Sequence, residues 1–238
     1  MGSVAVLDLD ETLVHACSRK DLGEYDDLLW AAACAYASQR CKEKNIFCFY
    51  TDVYFIYVRP GAIEMLRYCR ASFDFLVIFT AGNEAHAKYI QRMLFEGAAN
   101  VTVDFCFHRD SCGKFGSETL VPQATLTPYQ KNLCHIREIV EQSATEEQKK
   151  KINWKDCLFV EDFSFNALTN CGETLIVPKF DYPSLLQLLK KESAVLADIE
   201  EASSDDTLIK LVHFIQHKKN LQPRADWRIV DKRFAMFL

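Results

Sequence analysis

Val4-Ala5-Val6-Leu7-Asp8-Leu9-Asp10-Glu11-Thr12 says most about how this chain folds. An apolar run that stops abruptly at acids reads as a buried first strand whose carboxyl end opens on a crevice. Phe73 to Phe79 repeats that pattern and ends in Thr80-Ala81-Gly82, and Cys157 to Val160 repeats it again and ends in Glu161-Asp162. Asn100 to Phe107 and Thr174 to Val177 complete a set of five strands. Helical segments fall between them: Ala62 to Ser72, Glu84 to Phe95, a helix opening at Thr127-Pro128, and a short charged one from Glu146 to Ile152. Strands alternating with helices predict an α/β protein with a central parallel sheet covered on both faces.

Outward from that frame, Glu24 to Lys44 is long, alanine-rich and free of Gly and Pro, which predicts a helix burying Leu28, Leu29, Ala32, Tyr36 and Ala37. Phe47 to Val58 is aromatic and β-branched and predicts a hairpin that ends at Arg59-Pro60-Gly61. Two more helices are expected in the tail, Ser184 to Glu201 and Asp205 to Lys219. No repeat and no Pro/Gly/Ser-rich linker divides the 238 residues, so one domain is expected over 1–238. Residues 15–57 form an insertion in it.

Composition narrows the class. A chain 49% hydrophobic and 26% charged can fill a core, which excludes disorder and low-complexity classes. The longest apolar run, Leu28 to Ala37, is ten residues, too short to span a bilayer. A net charge of −5 advertises no nucleic-acid surface. The ten cysteines contain no C-x-x-C pair and follow no secretory signal, so they read as reduced, small apolar residues of a cytoplasmic or nuclear protein. His213 and His217, four apart without a companion glutamate, read as a helix face and not a metal pair.

The chemistry concentrates where three strands end. Residues two apart in an extended segment project to one side, so Asp8 and Asp10 can face one pocket. Two such carboxylates repel unless a cation lies between them, and Asp162 would supply a third oxygen ligand of the kind Mg²⁺ takes. A carboxylate can also attack phosphorus, with its neighbour acting as acid and then base. Taken alone, D-x-D after a strand is also compatible with a solvated turn or an acidic cap. Lys131 also has the reading of a solvated helix lysine, Thr80 that of a helix cap and Arg109 that of a surface ion pair.

Five segments in order give the pattern a family likeness. Val6-Leu7-Asp8-Leu9-Asp10-Glu11-Thr12-Leu13-Val14-His15 resembles the opening motif of the DxDxT phosphatases of the haloacid dehalogenase superfamily, the NLI-interacting-factor-like group that includes the small C-terminal-domain phosphatases. Arg59-Pro60-Gly61, Phe79-Thr80-Ala81-Gly82 (usually F-T-A-S), Phe107 to Cys112 and Tyr129-Gln130-Lys131-Asn132-Leu133 resemble later motifs of that family. Asp226-Trp227-Arg228 is a weaker echo of its end. The resemblance implies a three-layer haloacid-dehalogenase-like (Rossmannoid) fold with a small helical and hairpin insertion and no large cap domain. It implies Asp8 as nucleophile and Asp10 as general acid/base. Thr80, the Ala81 backbone and Lys131 would bind phosphate, with Thr12 and Glu161 in support and Arg109 touching substrate. Mg²⁺ would sit on Asp8, the Asp10 carbonyl and Asp162. Glu161-Asp162 departs from the family's usual D-N or D-D by one methylene. An open crevice implies a phosphoprotein or phosphopeptide substrate. A small-molecule phosphatase and a non-catalytic docking module of the same fold remain as alternatives.

Overall fold

The computed structural model describes residues 2–22, 27–114, 129–163, 166, 174–183, 185, 187 and 200–221. β1 (Gly2–Leu7) is buried along its whole length and lies at the centre of a parallel sheet. β5 (Phe75–Phe79) and β6 (Phe105–Phe107) stand on one side of it, β9 (Ile152–Glu161) and β10 (Thr174–Ile176) on the other. Alternation sends Ala5, Leu7, Leu76, Ile78, Leu158 and Val160 to one face. Val4, Val6, Val77, Phe79, Cys157 and Phe159 go to the other. Strands covered on both faces need no polar side, which is why they were legible as uninterrupted apolar runs.

The first face is covered by α2 (Ala62–Ser72), by α3 (Glu84–Ile90) running on as a π-helix over Gln91–Ala99, and by α6 (Thr207–Leu221). The second is covered by α4 (Leu133–Ser143), through Leu133, Ile136 and Val140. α5 (Glu146–Lys151) leads into β9. Chain order turns back at β1: the chain builds outward to β6 and then resumes with β9 on the opposite side. That switch point, between the carboxyl ends of β1 and β9, is where an open α/β sheet leaves its crevice.

After β1 the chain builds a second, antiparallel sheet in the order β2–β4–β3, from β2 (Val14–Ser18), β3 (Cys48–Tyr50) and β4 (Tyr54–Val58). α1 (Asp27–Glu43) packs against it. The hairpin β3–β4 matches the sequence reading, but β2 was not foreseen. Five residues including His15 and Ser18 carry too little apolar signal to read as a strand.

Other expectations are corrected. α1 buries Trp30, Ala33, Cys34, Ala37 and Cys41, leaving Leu28 82% exposed and Ala32 exposed, so of the expected stripe only Ala37 is fully buried. Trp30 sets that rotation: its indole N–H donates to the Thr51 carbonyl at 3.0 Å. The helix expected from Thr127 starts only at Leu133, where Asn132 caps it by accepting from the Cys134 N–H at 2.8 Å. Tyr129–Gln130 (β8) pairs instead with Gly113–Lys114 (β7). The third strand shortens to Phe105–Phe107 and the fourth lengthens to Ile152–Glu161. Most of the expected helix at 184–201, and all of Asp226-Trp227-Arg228, fall outside the described residues.

Candidate active site

Asp8 follows β1 directly, and its N–H donates to the Val160 carbonyl at 3.0 Å, which sets it beside Glu161 at the end of β9. The loop then closes on itself: the Leu9 carbonyl accepts from the N–H groups of Thr12, Leu13 and Val14. Glu11 takes a left-handed backbone, φ 61°, held by the Phe180 N–H on its carbonyl at 2.6 Å. Arg59, 2% exposed, locks the loop from behind. Its guanidinium donates to the carbonyls of Thr12 (3.2 Å) and Pro178 (2.8 Å) and to Asp205 Oδ2 (2.7 Å).

The buried ammonium of Lys131 contacts Asp8 Oδ1 directly and Glu161 Oε2 at 2.8 Å. Glu161 is fully engaged. Oε1 accepts from the Phe163 N–H at 3.0 Å, and Oε2 also accepts from Asn166 Nδ2 at 3.2 Å. Asn166 Oδ1 in turn accepts from the Lys131 N–H at 3.0 Å. The methylene that Glu has over Asp reaches this clamp. The Thr12 hydroxyl lies 3.2 Å from Asp8 Oδ2 and 3.3 Å from Asp162 Oδ1, one hydrogen shared between two acids. Ligand oxygens of Asp8, Glu161 and Asp162 all fall within 4.8 Å of one another.

Electrostatics follow from that crowding. Burial, with the charge of Glu161 next, holds the Asp8 carboxyl well above the ordinary range although Lys131 opposes it. Burial and then the charge of Asp8 push Asp162 up to about 6. Asp10 goes the other way. Burial raises it, but hydrogen bonds from His86 and Thr80 outweigh burial and leave it below the ordinary value. Thr80 donates to Asp10 Oδ2 at 3.1 Å and His86 Nε2 lies 2.7 Å from Oδ1. Arg109 donates from Nε to the Ala81 carbonyl at 2.9 Å, and its guanidinium stacks over Tyr129 at 4.7 Å.

The sequence profile of the NLI interacting factor-like phosphatases matches residues 3–217. The chain belongs to that family. Among solved structures, it is similar to Fcp1, an essential RNA polymerase II CTD phosphatase, at 16% identity and a TM-score of 0.54, covering 96% of this chain and 69% of that one. A fission yeast Fcp1 variant bound to beryllium fluoride is similar at 16% identity and a TM-score of 0.48, with the same coverage. CbbY from Rhodobacter sphaeroides, in complex with phosphate, aligns at 10% identity and a TM-score of 0.38 over 76% of this chain and 88% of that one. No curated protein sequence matches. At 16% identity the likeness to Fcp1 establishes the fold, and membership of the phosphatase family rests on the profile.

In this NLI interacting factor-like phosphatase the structure brings Asp8, Thr12, Lys131, Glu161 and Asp162 together at the switch point, with Asp10 and Thr80 bonded to each other beside them. Lys131 reaches the site from the residue before the cap of α4, not from a helical first turn, because Asn166 takes its backbone N–H. Three participants were missed. Arg59 was read only as part of a motif, and Asn166 lies in a segment with no pattern to flag it. His86 sits within a helical run, and its one signal was Gly82, where the family usually has serine. His213 and His217 lie exposed on α6. No disulfide joins any two of the nine described cysteines. No helix among the described residues is long and apolar enough to cross a membrane.

Proposed function

We propose that the protein is a Mg²⁺-dependent phosphatase of phosphoserine or phosphothreonine in proteins, working through an aspartyl-phosphate on Asp8. The observation that carries this reading is the division of labour between two carboxylates two residues apart. Asp8 is buried against a lysine beside two further acids, whereas Asp10 stands apart on Thr80 and His86. Environments that push paired acids in opposite directions assign them different chemical roles.

The acid cluster suits a divalent cation. Asp8 and Asp162 offer hard oxygen ligands bridged by Thr12, and both carboxyls are raised by burial and by crowding that a cation would relieve. Glu161 is occupied by Lys131, Asn166 and the Phe163 N–H, so Asp8, Asp162 and the Asp10 carbonyl would hold the ion. Bound there, Mg²⁺ would neutralise phosphoryl charge as a Lewis acid.

The residues perform the rest. An Asp8 oxygen attacks phosphorus as the bond to the substrate oxygen breaks, and Asp10 gives that departing oxygen its proton. Water then attacks the aspartyl-phosphate, Asp10 takes back a proton, and Asp8 leaves as a carboxylate with inorganic phosphate. A phosphoryl dianion beside Asp10 raises its carboxyl, which loads the proton the first step needs. Lys131 donates to phosphoryl oxygens, with the Ala81 backbone and, once it leaves Asp10, the Thr80 hydroxyl. Arg109 at the rim would meet the substrate chain.

We read residues 15–57 as an insertion within one domain. Its helix and three strands are an elaboration smaller than a large closed cap, which suits a side chain presented by another protein. The test compares a phosphoserine peptide with sugar phosphates, with and without Mg²⁺. Metal-dependent turnover favouring the peptide supports the reading; preference for sugar phosphates rejects the protein substrate.

A further inference from the structure

Asp10 is held by two donors, and only one of them belongs to a motif. Thr80 serves Oδ2; the other donor, His86, serves Oδ1 at 2.7 Å from its Nε2. A carboxylate only accepts, so the hydrogen lies on Nε2. His86 is 8% exposed and its ring is placed from three directions. Its backbone N–H donates to Asn83 Oδ1 at 2.9 Å in the first turn of α3. Its ring lies against Tyr54 of β4 with centroids 5.2 Å apart. Nε2 meets Asp10. Space for the ring comes from Gly82. A Cβ there would stand 2.9 Å from His86 Cδ2, 3.2 Å from Thr80 Oγ1 and 3.3 Å from Asp10 Oδ2. Glycine and histidine are therefore one arrangement, since any side chain at 82 pushes on the ring and on the acid together.

We propose that His86, admitted by Gly82, is a positioning residue that fixes the Asp10 carboxyl toward the oxygen leaving phosphorus. This rests on reading Asp10 as the general acid/base. The proton that moves is Asp10's own: it passes to the leaving oxygen as that oxygen takes the electron pair of the broken P–O bond, while the hydrogen on Nε2 stays in place. Once the Thr80 hydroxyl has turned to the phosphoryl group, a carboxyl without His86 can turn about its last torsion, and misorientation lowers proton-transfer rates.

The test is a leaving-group comparison in the full chain with Mg²⁺. It measures kcat/KM for dinitrophenyl phosphate, whose phenolate leaves without a proton, and for phenyl phosphate, whose oxygen needs one. This parameter covers the half-reaction in which Asp10 is the acid. His86→Leu is expected to lose about tenfold or more on phenyl phosphate and little on dinitrophenyl phosphate. His86→Gln, which keeps an N–H donor, is expected to recover most of the loss. Gly82→Ser is expected to show the same selective loss and to add little to His86→Leu in the double variant. The ratio of the two substrates within one preparation is independent of how much of the variant is folded. Equal losses on both substrates, no loss on either, or a glutamine no better than leucine overturns the proposal. Asp10→Asn separates the two levels. If its loss is selective while that of His86→Leu is not, the role of His86 falls alone. If its loss is not selective, the acid role of Asp10 falls and that of His86 with it.

Discussion

Lys131 is the residue on which the site balances. One buried ammonium faces two buried carboxylates, Asp8 and Glu161, and both partners hold its proton more tightly than water would although burial opposes the charge. Lys131→Met leaves those acids without a cation, so turnover should vanish and stability fall by about 3 kcal/mol or more near pH 8. At pH 5 the loss should shrink because the acids can protonate; denaturant titrations at the two pH values check this. Asp162 gives a second test. Its carboxyl is raised to about 6, above the ordinary carboxylate value. Its contribution is therefore fully present below about pH 4 and is lost as pH rises through 6 in the metal-free protein. Ligands must shed protons to bind a metal, so Mg²⁺ should stabilise more at pH 7.5 than at pH 5. Thermal unfolding in EDTA and in Mg²⁺ across that range measures both effects. The acids, Thr80 and Lys131 were legible because each ends a strand or sits in a motif. Asn166 and His86 were not, because an asparagine in a patternless segment and a histidine inside a helical run acquire meaning only from what the fold places beside them.

At the scale of elements, legibility followed periodicity. Parallel strands such as Phe75–Phe79 are apolar on both faces and announce themselves. α1 is alanine- and cysteine-rich, so its leucines suggested a face that the structure does not bury. Large residues carry more pull than small ones, and Trp30 decides the register. Trp30→Ala should cost about 3 kcal/mol or more. Leu28→Ser, on the exposed side, should stay within about 0.5 kcal/mol. Chemical denaturation of both variants tests the assignment. Gly61, at the start of α2, has φ 79°, and a Cβ there would meet Ile209 Cγ1 of α6 at 2.8 Å. Gly61→Ala should therefore cost at least about 1–2 kcal/mol from the backbone alone, read as a lower unfolding midpoint.

At the scale of the molecule, Arg59 ties three distant segments together: the loop carrying Asp8 and Asp10, the chain after β10, and Asp205 ahead of α6. The site thereby depends on residues far apart in the sequence, which explains how a motif near the start of the chain needs contacts near residue 205 to hold its shape. The sheet order turning back at β1 puts Asp8 at the switch point. A nucleophilic Asp8 must carry the phosphoryl group between the two half-reactions. The direct measurement is acid quenching of the enzyme during turnover of an aryl phosphate with Mg²⁺, followed by mass mapping of the phosphorylated peptide. One phosphoryl group on the peptide containing Asp8, absent without Mg²⁺ and absent in Asp8→Asn together with turnover, is the predicted result. Turnover that survives in Asp8→Asn, or a phosphoryl group trapped on any other residue, would exclude Asp8 as the nucleophile.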